Sequence, residues 1–233
     1  MSPSLTAVSA FNKTVIADKA GEFSLLSSHC QGRRQAEAAI ADCYQRVYNT
    51  SLTEFLPLIL CLQDQGVPLA ASGLRPGHYR PLFLEQYLEA PVEQQVAAII
   101  RRPVNRTSLV EIGNFAVMNR GYSTLLLAVL AISLVDAGYH WAVFTATQQV
   151  ERLLKRLGFE PQVLAAADPH RLQGDASLWG SYYQNRPRVM VGNLSAAREL
   201  IHSSTRLRAM IAPFQGEIAE AAVSLADYRR LLK

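Results

Sequence analysis

Residues 108–117 read SLVEIGNFAV, and the fold turns on how they are placed. The run is apolar, follows a break at Pro103 and carries period-2 alternation, so it predicts a strand. Val110, Ile112, Asn114 and Ala116 share one face. Glu111, Gly113, Phe115 and Val117 share the other, unless a bulge intervenes. After it comes LLLAVLAISLV, residues 125–135, which Ser123 or Thr124 can cap and Gly138 can stop. Residues 141–147, WAVFTAT, then read as a second buried strand. A strand, a long helix and another strand make a crossover unit with its two strands parallel.

Working outward, residues 32–48 keep helical spacing at Ala36, Ile40, Cys43/Tyr44 and Val47. Residues 23–26 are a candidate strand. Residues 56–62 and 67–71 flank QDQG, which predicts a β-hairpin with Gly66 at positive φ. Pro57 and Pro68 belong near strand starts or at an edge. Residues 81–88 and 92–101 read as helices. Downstream, residues 147–157 form a helix closed by Gly158, residues 159–164 and 188–191 are strands, and the chain from Ser195 is mostly helical. An antiparallel hairpin before a parallel crossover predicts an α/β (α+β) fold with a mixed central sheet flanked by helices. Residues 20–195 form the domain, with 196–233 as a C-terminal helical extension.

Composition narrows the function classes. The chain has 233 residues, with 23 Lys+Arg against 19 Asp+Glu, and 49% are hydrophobic. That is globular composition. Residues 184–233 hold 8 basic and 4 acidic side chains, which accounts for the whole net charge of +4. No basic run is dense enough to predict nucleic-acid binding. The eleven residues of the longest apolar run rise about 16 Å as a helix, half a bilayer core, so no transmembrane segment is expected. No secretory signal is read at the N-terminus, and the expected location is cytoplasmic. Cys30, Cys43 and Cys61 form no CxxC pair, and the five histidines form no ligand motif, so no metal site is expected.

The element order is that of the GCN5-related N-acetyltransferase architecture, which also underlies the acyl-homoserine-lactone synthases. More specifically, the chain resembles the thermostable hemolysin family. The segments that carry this are FLEQYL (83–88), VEIGNFA (110–116), FTAT (144–147), RLGF (156–159), LAAADPHRL (164–172) and WGSYY (179–183), followed by Pro187 and Gly192. The resemblance implies an acyltransferase-like fold and does not imply a pore. It implies two splayed parallel strands, 108–117 and 141–147, whose gap accepts the pantetheine arm of an acyl thioester. Backbone N–H groups would then face the thioester carbonyl, with Phe115, Ala116 and Val117 lining the arm.

Glu111, a carboxylate inside an apolar strand, is the candidate base, since burial would raise its pKa. The alternative is a structural pairing with Arg106 or Arg120. Asn114 is the second candidate catalytic residue. Asn114, Thr145 and Thr147 each need a partner, whether substrate or a neighbouring loop. Trp179, Tyr182 and Tyr183 either wall a pocket, with Tyr182 donating a proton to the leaving thiolate, or plug the sheet. His170 fits a cap or surface role better than that of a base. The segment MNRGYST (118–124) has one glycine and departs from the usual CoA pyrophosphate loop, although Arg120 could meet the donor.

The expectation is an acyltransferase moving an acyl group from an acyl carrier protein or acyl-CoA thioester to a small amine, with no permanently bound cofactor. Arg198, Arg206 and Arg208 could dock an acidic carrier protein. A homodimer through a sheet edge or the C-terminal helices stays open. A non-catalytic acyl-binding module and a membrane-active hemolysin are the alternatives.

Overall fold

In a computed structural model, which describes residues 21–79, 81–119 and 121–230, seven strands form one mixed sheet. They are β1 (Glu22–Leu26), β2 (Leu58–Asp64), β3 (Val67–Pro76), β4 (Leu109–Val117), β5 (Trp141–Ala146), β6 (Gln162–Ala166) and β7 (Arg188–Asn193), in the order β1-β2-β3-β4-β5-β7-β6. Only β4 and β5 pair in parallel. Between β2 and β3 the chain turns at Gln65 (φ 47°) and Gly66 (φ 79°). Two consecutive positive φ values match the twist of the strands and make a tight hairpin.

Helix α3 (Tyr122–Asp136) joins β4 to β5. Nine of its 15 residues are buried, which is why its sequence is apolar all round. One side meets the sheet. The other is covered by the C-terminal helices α5 (Leu194–Ser203), α6 (Thr205–Ile211) and α7 (Gln215–Arg230). Ile218, Ala221 and Leu225 of α7 join the same apolar cluster as Leu60, Val110 and Leu130. On the opposite face, α1 (Arg33–Tyr48) lays Ala36 and Ile40 on Ile59, Cys61 and Ala71. Beside it, α2 (Val92–Ile100) and a 3-10 turn, Phe83–Tyr87, cover Leu109, Trp141 and Val143.

Several expectations shift. Gly121 at φ 115° precedes α3, and neither Ser123 nor Thr124 caps it. Gly138 (φ 84°) does end it, and Gly158 (φ 85°) ends α4 (Gln148–Arg156). The strand expected at 159–164 begins later, at Gln162, because Gly158 to Pro161 form the turn into it.

The largest departure lies in β4. Gly73 pairs with Gly113, but Ala71 pairs with Ala116, so Ser72 opposes both Asn114 and Phe115. This is a β-bulge, with Asn114 at φ 47°. It reverses the alternation beyond it. Phe115 and Val117 pack with Ile112 on the α3 face, and Ala116 turns to the α1 face.

Candidate active site

The β4–β5 ladder runs from Leu109↔Trp141 to Ile112↔Phe144 and stops. Past that point β4 stays with β3, through Ala116↔Ala71 and Val117↔Ala70. β5 stays with β7, through Thr145↔Val189 and Ala146↔Arg188. The two parallel strands part, and β4's inner edge has no ladder partner in β5 beyond Ile112. Main-chain groups outside a ladder need other partners; the Phe115 backbone meets the Tyr44 hydroxyl, and a ligand in the gap can supply partners for others.

A cavity of about 860 Å³ passes through this gap. On the α3 side its wall is apolar, with Leu127, Leu130, Ala131, Leu154, Phe159 and Leu200. On the α1 side it is polar and aromatic, with Tyr44, Tyr48, Arg75, Phe83, Tyr87 and Glu111, then Trp179 and Tyr182.

Glu111 is 3% exposed. Its Oε1 accepts from Leu84 N at 2.8 Å, and its Oε2 accepts from Phe83 N at 3.1 Å. Arg75, its direct cross-strand partner, places Nε 3.9 Å from Oε2. Burial pushes the carboxyl above the usual range, and the Leu84 amide, Arg75 and the Phe83 amide oppose this without outweighing it. The alternative, a pairing with Arg106, does not form. Arg106 is held by Glu85 at 2.6 Å, Glu93 at 2.6 Å and the Gly77 carbonyl at 2.5 Å. Arg120, the other expected partner and a candidate donor contact, lies outside the described residues.

Asn114 fastens the loop that leads into β2. Its Oδ1 accepts from Leu56 N at 2.9 Å, and its Nδ2 donates to Glu54 O at 3.3 Å. The polar side chain is thus satisfied by the chain itself, and it also lines the cavity. Thr147 is different. Its Oγ1 is buried beside the Tyr48 hydroxyl at no hydrogen-bonding geometry; burial pushes the Tyr48 pKa up, and Thr147 offsets this only in part.

The aromatic wall is built from two directions. Tyr44 and Tyr48 come from the last turns of α1, and Trp179, Tyr182 and Tyr183 from the loop between β6 and β7. Tyr48 meets Tyr182 edge to face at 5.1 Å, and Trp179 lies 5.4 Å from Tyr182 and 5.6 Å from Phe83. The Tyr87 and Tyr183 hydroxyls are 2.6 Å apart. The loop is clamped to α1's end: Ser181 N donates to Tyr48 O at 2.8 Å, and Thr50 Oγ1 donates to Leu178 O. Burial, reinforced by Tyr44, Tyr48, Tyr87 and Tyr183, holds the Tyr182 hydroxyl protonated far past its usual range.

The family model of the thermostable hemolysins matches residues 26–198. The chain belongs to the thermostable hemolysin family. No curated protein sequence matches it significantly. Among solved structures it is similar to BjaI, a CoA-dependent acyl-homoserine lactone synthase determined with MTA. The TM-score is 0.57 at 13% identity, covering 87% of this chain and 99% of that one. It is also similar to FeeM, an N-acyl amino acid synthase from uncultured soil microbes, with TM-score 0.53, 12% identity and coverage of 77% and 94%. TofI in its apo form gives TM-score 0.51 at 14% identity, covering 80% and 99%. At such identities the likeness is one of fold, and it is the mixed-sheet fold expected from the sequence.

Of the residues singled out in this hemolysin-family sequence, Glu111, Asn114, Phe115, Thr145, Thr147, Trp179 and Tyr182 all line the one cavity. Tyr183 backs it through Trp179 and Tyr87. Ala116 and Val117 pack into the two apolar clusters and do not line it. His170 is exposed, and its N–H donates to Asp168 at 2.9 Å. Arg198 is taken by Asp136. Sequence reasoning missed Tyr44, Tyr48, Tyr87 and Arg75. The i,i+4 spacing of Tyr44 and Tyr48 was a usable signal. Arg75 was hidden because the apolar run that marks its strand ends at Ala71.

Proposed function

We propose that this protein is an N-acyltransferase that moves an acyl group from a phosphopantetheine thioester to a small amine, an amino acid or related metabolite. The observation that carries it is the parting of β4 and β5 beside the buried Glu111. The gap gives the thioester an entry with main-chain groups along one side. An acyl chain fits the apolar wall at Leu127, Leu130 and Leu154, where burial favours each methylene by about 0.8 kcal/mol.

The amine attacks the thioester carbonyl, forming the C–N bond and moving the C=O pair onto oxygen. β4 amides stabilise that oxyanion, each donor contributing about 3 kcal/mol. Glu111 takes a proton from the nitrogen. Its carboxylate keeps lone pairs beyond those used by Phe83 and Leu84, and its raised pKa makes it a stronger base than a surface glutamate. Collapse expels the thiolate, which takes a proton from Tyr182 on the cavity wall; burial opposes leaving that phenol ionised, so the proton taken up by Glu111 must return to it.

CoA and acyl carrier protein present the same pantetheine arm. The single glycine before α3, Gly121 followed by Tyr122, favours an arm borne by a carrier protein. Such thioesters are made in the cytoplasm, which is the proposed place of action. The test is purified protein with matched acyl-CoA and acyl-carrier-protein panels and an amino-acid pool, following thiol release and amide mass. Amide formation is expected, faster from the carrier protein. No thiol release from any thioester would overturn the reading. It would leave the alternative that Glu111, with both oxygens engaged by backbone amides, holds a non-catalytic acyl-binding cleft together.

A further inference from the structure

We propose that Arg75 anchors the α-carboxylate of the acceptor, so that the acceptor is an α-amino acid with a large apolar or aromatic side chain and not a simple amine. This deepens the acyltransferase reading and rests on it. Arg75 and Glu111 are cross-strand partners, so their side chains leave the sheet on the same face. Both line the cavity, with Nε and Oε2 3.9 Å apart. An α-amino acid carries its ammonium and carboxylate on groups separated by a single carbon. It therefore meets this pair in complementary order, amine to Glu111 and carboxylate to Arg75.

The guanidinium has capacity for this. Among the described residues its only hydrogen bond is from Nη1 to Pro81 O, at 3.2 Å. Of five N–H donors in a planar fork, most stay available for a bidentate carboxylate. The two buried arginines among the described residues, by contrast, are spent on the fold. Arg33 donates to the Leu26, Leu56 and Pro57 carbonyls and to Glu37, and Arg106 is caged by Glu85 and Glu93. Among the described lining residues Arg75 is the sole Lys or Arg, and its side chain is 25% exposed against 4% for Glu111. It thus reaches further into the open part of the site. Glu54, Glu160 and Asp175 also line the cavity, so an acceptor with only negative charge is repelled, whereas a zwitterion is not. Phe83, Trp179 and Tyr182 supply the surface for its side chain.

Calorimetry on the full chain with L-phenylalanine and 2-phenylethylamine, which lacks the carboxylate, tests the anchor without turnover. Wild type is expected to bind phenylalanine about tenfold or more tighter, the worth of a charge-assisted pair. Arg75→Met should erase that margin and leave phenylethylamine within about twofold, and Arg75→Lys should recover part of it. Thermal melting of both variants checks the fold. Equal binding of the two ligands by wild type, or equal weakening of both in Arg75→Met, overturns the anchor. In the acylation assay, phenylethylamine serving as well as phenylalanine overturns the anchor and spares the acyltransferase reading. No acylation of any amine overturns that reading, while calorimetry still decides Arg75.

Discussion

Glu111 and Thr147 show how differently two buried polar side chains can be held. Glu111 has amide partners and an arginine, but burial dominates and its pKa is raised. As a base it must be ionised, so kcat/KM should climb with pH through a limb lying above the ordinary glutamate value. The folded state holds that proton more tightly than the unfolded chain. This group's contribution to stability therefore falls as pH rises from the usual value through the raised one. Glu111→Gln should lower kcat by about 10²- to 10⁴-fold and remove that fall, read by pH-rate profiles and by urea melts across pH. Thr147 has a buried hydroxyl with no hydrogen bond among the described residues. Thr147→Val should leave stability unchanged or raise it by about 1 kcal/mol, by deleting an unpaired hydroxyl. If the hydroxyl serves the ligand, KM should rise in the same variant. Glu111 was visible in the sequence as a carboxylate breaking an apolar strand. Its partners were not, because Phe83, Leu84 and Arg75 lie far from it along the chain.

At the scale of elements, two non-helical pieces shape the site. The loop bearing Trp179, Tyr182 and Tyr183 is pinned at Gly180, with φ 51° and ψ −124°. A Cβ there would sit 2.1 Å from the Tyr48 carbonyl oxygen. Gly180→Ala should therefore cost about 1–3 kcal/mol and disrupt the aromatic wall, seen as a lowered denaturation midpoint and a changed near-ultraviolet tryptophan signal. The second piece is the 3-10 turn Phe83–Tyr87, which delivers the amides to Glu111. It is anchored by Glu85. Burial pushes the Glu85 carboxyl up, but the Arg106 hydrogen bonds, the Val92 and Leu82 amides and Arg106's charge hold it at about 2, against an ordinary 4.5. That stabilisation is complete above about 4.5 and is lost as pH falls towards about 2. Glu85→Gln should flatten stability over this acid window, measured by thermal melts. The FLEQYL segment marked the turn. That Glu85 would face Arg106 depended on how α2 and the residues before β4 pack.

For the whole molecule, α3 decides cooperativity. It is buried on every side because α5 to α7 close over it, and Phe23 of β1 packs edge to face on Phe214 at 5.2 Å. Truncation after Ser203 would remove Leu207, Phe214 and Leu225 and so expose the faces of α3 and Phe23 that they cover. That chain should lose its cooperative melt and aggregate, judged by calorimetry and size exclusion, although the family match ends at 198. Among the described residues no helix is long and apolar enough to cross a membrane, and the apolar stretch 125–135 is used here as a core. Local pattern alone determined most of the elements, the β2–β3 hairpin, the parallel crossover and the place of Glu111 as a carboxylate within an apolar strand. Periodicity and turn chemistry act between near neighbours and can be read from one chain. Tertiary structure decided where the β4–β5 ladder ends, the bulge at Asn114, the reversal of Phe115 and Ala116, and the Arg75–Glu111 pair. Each of these depends on which strand sits beside which and in what register, and that is settled by side chains far apart in sequence competing for the same core.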